Sequence, residues 1–489
     1  MRINHLLLGG ILAALGMCIG CVGANPITLD PNAPEISRLK FATRLVARLN
    51  PTAGEVWIGA PPGWSAAGSL VRFTVAGELT RKVRSLIDGS VLYRFPGDEN
   101  SVTLVEWVDQ VGVRHSENVP VTNASDDLDL HVGTAGLYPN RMIADEDAIW
   151  VVNSGNDELA SYDLVSLQKG DAVKTPAYSN PWDAAFIEDT SRGLITTLFA
   201  GVHMFDASTG ETREVSTDGF RTFASPNGVA ILTDGARTVQ SAPGTQSRPC
   251  GAGFPACRAV VVNPNPVSYF PTEFGQGWIS WIELSDSPRV YKELNARWLN
   301  PQYVIEGSER IYVSCSGTID FAPPDYVATA LDAGGVMVIS KESGEVVEAY
   351  ELGLGGPGPM ALSPDERYLY VGSGVAGRLF RIDLERGMVL NSAENPILVS
   401  DFPGTFISFL EVSEDGLLAC ASFNDDTIRF VDSMTGELDP FPFFEPVELH
   451  PDDPDALYGP QAAKYVDRGG VEGLLILTTV LSEFHWLAL

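Results

Sequence analysis

Residues 358–388 read GPMALSPDERYLYVGSGVAGRLFRIDLERGM. A short apolar run, Met360-Ala361-Leu362, ends in the polar turn Ser363-Pro364-Asp365-Glu366. Leu369-Tyr370-Val371 and Leu379-Phe380-Arg381-Ile382-Asp383 follow as a second and a third run, and a fourth leads out. Apolar runs this short, rich in β-branched and aromatic residues and separated by Gly, Pro, Asp and Ser, specify strands joined by tight turns rather than helices.

The same phrase recurs along most of the chain. A Pro-led turn opens an apolar run at Pro139-Asn140-Arg141, Pro181-Trp182-Asp183, Pro226-Asn227-Gly228, Pro301-Gln302-Tyr303, Pro359-Met360 and Pro460-Gln461, and Gly404-Thr405-Phe406-Ile407 fills the gap without the proline. Each is followed by a more apolar second strand, from Ile149–Asn153 through Leu369–Val371 to Leu474–Leu477. Third strands end on acidic residues at Asp163, Asp206, Glu283, Asp383 and Asp432. Seven such units, each the size of a four-stranded blade, predict an all-β chain whose larger part is a seven-bladed β-propeller. The last unit supplies three strands of its own. Residues 128–133 precede the first Pro turn as Tyr350–Gly353 precede Pro359, so they are expected to add the outer strand of the last blade and leave no exposed sheet edge.

Val152-Asn153-Ser154-Gly155 followed by Leu159–Leu164 is similar to the YVTN-type propeller repeat, in which a strand ends near Asn and the next ends in Asp. The resemblance covers residues 127–489 and implies architecture rather than activity. The fold hosts binding scaffolds, lactonases and subunits of redox complexes alike.

The N-terminal part differs. After Arg2, residues 3–19 form an apolar run of signal-peptide length, too short to span a bilayer. Cys18-Ile19-Gly20-Cys21 then resembles the lipobox of bacterial lipoproteins, which implies a signal peptide over 1–20 and lipidation of Cys21. Cleavage after Val22-Gly23-Ala24 is the alternative, and either reading exports the protein. Residues 21–40 read as a tether. Residues 41–124 carry a separate set of strand-like runs, among them Leu70–Val75 and Val102–Trp107, whose order resembles immunoglobulin-like or carboxypeptidase-regulatory-like β-sandwiches.

With 63 acidic and 32 basic residues among 489, the chain carries a net charge of −31. Such a surface repels phosphate backbones, which excludes nucleic acid as a partner. Cys250 and Cys257 bracket a Gly/Pro-rich loop and are expected to form a disulfide, which export permits, with a metal clip as the alternative. Cys315 and Cys420 lie inside apolar strands as small core residues.

Strand direction places chemistry on one end of the ring. The Pro turns bring Arg141, Asp183, Asn227, Gln302 and Gln461 to one mouth of the central channel, a convergence of polar groups suited to ligand binding. Two long connections fall on the same face, residues 263–276 and 317–334. Their Tyr269, Phe270, Phe274, Phe321 and Tyr326 call for a partner or for one another. The carboxylate groups at 145–147, 425–426 and 452–455 offer calcium-type oxygens but lack the spacing of a calcium loop, and they read as solvated turns. No histidine pair has metal-ligand spacing and no nucleophile elbow occurs, so no catalytic residue is assigned. The expectation is an exported, lipid-anchored scaffold, at the outer membrane or cell surface, that binds a protein or polymer of the envelope. Periplasmic or secreted placement is the alternative. A lactonase-type metal hydrolase using Asp183 and Asn227, or a subunit of a redox complex, is the competing function.

Overall fold

The computed structural model describes residues 27–28, 41–75, 79–86, 88–145, 147–232, 258–269, 272–321, 327–449 and 457–489. The chain divides into two compact units, 1–123 and 124–489. Cys21, Cys250, Cys257, Phe270, Tyr326 and the acidic residues 452–455 lie outside the described residues, as does the side chain of Tyr269.

In the first unit, strands 79–84, 70–75, 102–108 and 114–120 form one sheet, with Ile27–Thr28 parallel at its edge, and strands 46–50, 55–60 and 91–96 form a second. Alternate residues of both sheets, including Val56, Ile58, Phe73, Phe95 and Val105, meet in one core, which makes this unit a β-sandwich.

The second unit is a seven-bladed propeller. Its innermost strands are 139–144, 181–186, 229–232, 301–306, 357–362, 407–412 and 460–467, and each begins a four-stranded antiparallel path through its blade. Consecutive innermost strands touch one another, and the first touches the last, so they form a closed ring. In the seventh blade the order is 460–467, 472–478, 483–488 and then 128–134, with Phe484 opposite Gly133 and Leu487 opposite Leu128. The chain thus ties the beginning of the ring to its end.

The second strands are apolar at nearly every position because both of their faces are buried. In the first blade Val151 packs towards the seventh blade with Leu475, Leu477 and Phe484, while its neighbour Val152 packs towards the second blade with Ile195 and Phe205. The same alternation places Val260 and Val262 against the fourth blade and Val261 against the second. Truncating a fully buried member such as Phe484 to Ala would cost about 3–5 kcal/mol through lost burial and the cavity left behind.

A backbone device repeats at each Pro turn. The residue before the proline has a left-handed φ at Tyr138, Asn180, Ser225, Asn300, Gly356 and Gly459. Proline disfavours a right-handed helical conformation in its predecessor, and the left-handed one turns the chain sharply into the inner strand. The carbonyls of Tyr138, Asn180, Asn300, Gly356 and Gly459 then accept a bond from the residue just past the second strand of the same blade, as in Gly374 N–H to Gly356 at 2.7 Å. This register corrects one sequence assignment. Pro357, opposite Ser373 as Pro139 is opposite Asn153, begins the fifth inner strand, and Pro359 lies two residues inside it.

The acidic ends of the third strands also have a physical reason. Asp163 accepts from the Ser166 N–H at 2.7 Å, Asp206 from Ser208 at 3.0 Å, Asp383 from Arg386 at 3.0 Å and Asp432 from Met434 at 2.8 Å. Each short carboxylate folds its own hairpin turn. Glu283, one methylene longer, instead pairs with Arg289 at 2.9 Å.

Candidate ligand-binding site at the channel mouth

Antiparallel order puts two kinds of connection on one face of the ring: those between second and third strands, and those from an outer strand to the next blade. On this face a cavity of about 660 Å³ opens over the central channel. Its floor and walls come from successive blades: Trp182 and Leu198 of the second, Ser225 and Asn227 of the third, Asn300, Gln302 and Tyr303 of the fourth, Gly358, Pro359 and Gly374 of the fifth, Phe406 and Ile407 of the sixth, and Gln461 of the seventh. Both long connections reach it, one with Pro264, Pro266, Thr272 and Phe274, the other with Ile319 and Phe321.

Three of the five polar residues assigned to the mouth therefore share this cavity: Asn227, Gln302 and Gln461. Phe274 and Phe321 of the aromatic loops share it too, Phe274 half-buried and Phe321 46% exposed. Arg141 and Asp183 do not line it. They sit level with Tyr303 in strand register, Arg141 opposite Val152, Asp183 opposite Thr196 and Tyr303 opposite Ser314, and they pair with each other at 3.5 Å. Asp183 also accepts from the Ala184 N–H at 2.9 Å and from the Val229 N–H at 3.2 Å, which ties the second blade to the third. The Thr196 hydroxyl donates to the Asn227 carbonyl at 2.6 Å across the same joint.

The Arg141 guanidinium lies over the ring of Tyr303, a residue of the cavity wall, at 4.8 Å. Burial pushes the Asp183 carboxyl above the ordinary carboxylate range, against the pull of Arg141 and the two N–H donors. Burial also raises the Tyr303 phenol, with Arg141 pulling it back, and so keeps it neutral at physiological pH. Deeper along the channel Lys464 of the seventh inner strand meets Glu411 of the sixth at 2.9 Å.

Sequence reasoning missed Trp182, Tyr303 and Phe406, although each stands beside a residue that was singled out or in the same turn. The selection took polar side chains at the mouth and passed over the aromatic ones that form its walls. It also missed a cluster on the closing strand. His131 and His485, 354 positions apart, bring their rings to 5.4 Å, and Tyr458 stacks on His485 at 5.6 Å. The His485 Nδ1 accepts the His131 backbone N–H at 3.3 Å, and Glu483 bonds the His131 ring.

Of the carboxylates at 425–426, Asp426 is not solvated, whereas Asp425 is part-buried. Asp426 is fully buried and accepts from the backbone N–H groups of Tyr458 at 2.8 Å and Gly459 at 2.6 Å. Asp157, in the corresponding turn of the first blade, does the same with Tyr178 at 2.7 Å and Asn180 at 3.0 Å. Both clamp a blade to the approach of the next. Among the described residues no group of three or more His, Cys, Asp and Glu is placed to hold a metal ion.

The class is thus a seven-bladed β-propeller with an apolar, amide-bearing cavity at one mouth. No family model matches the chain, and no curated protein does. Among solved structures it is similar to virginiamycin B lyase from Staphylococcus aureus, at 11% identity and a TM-score of 0.48, over 74% of this chain and 99% of that one.

Proposed function

We propose that this protein is a non-catalytic recognition scaffold of the cell envelope. It is exported and anchored through Cys21, with a sandwich of immunoglobulin-like type before a propeller of YVTN-type repeats, and it binds a protein or polymeric ligand at the cavity face. One observation carries the reading: two long aromatic connections and the inner strands of neighbouring blades converge on one cavity, with Asn227, Gln302 and Gln461 in its wall. Rigid strands hold the polar groups while loops supply the apolar contact, which is the arrangement of a binding site.

The metal-hydrolase reading has no comparable support. It drew on Asp183 and Asn227, yet both Asp183 oxygens are engaged by Arg141, Ala184 and Val229 outside the cavity wall. The test is cross-linking capture from native envelopes, with the full chain compared against a Phe274→Ser, Phe321→Ser variant. A ligand held by the parent and lost by the folded variant supports the scaffold. Equal capture by both removes this face from the reading.

A further inference from the structure

The cavity wall has a charge character that the rest of the chain lacks. About a fifth of all residues are charged, 19%, and the net charge is −31, yet among the described residues no acidic or basic side chain lines the cavity. The one titratable side chain among the described wall residues, Tyr303, is a neutral phenol. Beside it, outside the cavity wall, Arg141 and Asp183 pair with each other at 3.5 Å. An anionic ligand would find no cation among the described wall residues. A cationic one would meet Arg141 already seated against the Tyr303 ring at 4.8 Å.

The polar groups in the wall are mostly primary amides. Asn227, Gln302 and Gln461 come from the third, fourth and seventh blades and so surround the channel axis. Each amide offers two donors and an acceptor, which matches a hydroxyl that both gives and takes a hydrogen bond. Gln302 is oriented by its own bond to Asn300 at 3.2 Å. Between the amides stand the flat rings of Trp182, Phe274, Phe321 and Phe406. Aromatic faces set among amides complement a saturated ring with an apolar C–H face and an equatorial rim of hydroxyls.

A peptide strand is served less well. Strand addition needs an open sheet edge, but the innermost strands form a closed ring. Five of them begin at this mouth with a proline (Pro139, Pro181, Pro301, Pro357 and Pro460), which has no N–H to give. At about 660 Å³ the cavity is the size of a small-molecule site, so it suits the end of a polymer rather than its length.

We propose that the channel-mouth cavity binds the terminal sugar residues of an uncharged polysaccharide, through ring stacking and the amides of Asn227, Gln302 and Gln461. This rests on the scaffold reading and names the polymer. The test presents the full chain to an array of neutral gluco-, manno-, xylo- and galacto-oligosaccharides and their uronic-acid counterparts, with choline and a proline-rich peptide alongside. Hits are then titrated by calorimetry. At least one neutral oligosaccharide is expected to bind, and its uronic-acid counterpart at least about tenfold more weakly. Trp182→Ala and, independently, Gln302→Glu should each weaken it at least about tenfold without loss of the folded circular-dichroism spectrum. Two results overturn the proposal: binding by none of the neutral sugars, or preference for the uronic acids, choline or the peptide. The envelope-capture assay separates the two levels. Capture that depends on Phe274 and Phe321 without sugar binding sinks the polysaccharide and leaves the scaffold, whereas no dependent capture and no sugar binding sinks both.

Discussion

The two faces of the propeller are closed by turns of the same repeat, yet they differ in how much apolar surface they expose. On the cavity face Tyr138, Tyr178, Phe199, Leu354 and Phe402 are exposed, Tyr178 by 89% and Phe199 by 68%. On the other face the turns expose Asp147, Glu188, Glu309, Asp365 and Glu414, and the only large exposed apolar side chains in those turns, among the described residues, are Val165, Met434 and Val471. Strand register is common to both faces, so this difference lies in turn composition alone. It teaches that exposed acidic side chains occur on both faces, Glu273, Asp332 and Asp401 on the cavity face among them, whereas large exposed apolar side chains gather on the cavity face, at a cost in exposed surface that a partner would offset.

The largest expected effect is on ligand capture. Placing a carboxylate in the uncharged wall by Gln302→Glu should reduce capture at least about tenfold. Reversing charge on the opposite face by Asp365→Lys with Glu414→Lys should change it less than about twofold. A desolvated, unpaired charge costs several kcal/mol, whereas a solvated turn charge contributes little. Calorimetric or pull-down comparison of the two variants checks this. Equal losses would mean that the ligand spans the whole ring or reads net charge, and the contrast between faces would carry no function.

The difference between faces bears on what the sequence made legible. The repeat was visible because every second strand must be apolar on both sides and every hairpin needs its turn residue, so packing writes itself into residues 149–153 as plainly as into 369–373. The cavity was half visible. Strand direction places Asn227, Gln302 and Gln461 at the mouth, but ring closure brings Trp182 and Phe406 to one cavity from distant parts of the chain, and no spacing rule reports that. Asp183 was chosen for its carboxylate. Only the three-dimensional register shows that it is spent on Arg141 and the Val229 N–H. His131 and His485 were individually legible as strand residues, and their encounter exists only because 128–134 pairs with 483–488.

That encounter gives the next prediction. Burial, and secondarily His131, lowers the His485 pKa from 6.5 to about 4. The folded state therefore binds fewer protons than the unfolded state between these values, so stability rises with pH across that window. As the pH falls from about 6.5 to 4, the seventh blade should lose on the order of 3 kcal/mol, since a tenfold difference in proton affinity between the two states is worth about 1.4 kcal/mol. Burial also lowers the His203 pKa and acts in the same direction. Denaturant unfolding of the parent and of His485→Gln isolates the first contribution. The parent should be the more acid-sensitive of the two, and identical pH profiles would show that closure of the ring does not depend on a neutral His485.

The smallest effects compare carboxylates that serve the two faces. Asp426 on the cavity face is fully buried and holds the Tyr458 and Gly459 N–H groups of the approach to the seventh blade. Removing it takes the acceptor from the buried Gly459 N–H and the part-buried Tyr458 N–H, so Asp426→Ala should cost about 2–3 kcal/mol. Asp163 on the opposite face is exposed and holds only its own hairpin, through the Ser166 N–H and hydroxyl at 2.7 Å. Those bonds hold its carboxyl below the ordinary range, but water replaces them readily, and Asp163→Ala should cost less than about half as much as Asp426→Ala. Thermal or denaturant unfolding of the two variants gives the ratio directly. A cost for Asp163→Ala equal to that for Asp426→Ala would mean that hairpin turns, rather than clamps between blades, set the stability of the ring. The opposite face would then contribute to stability in the same degree as the cavity face.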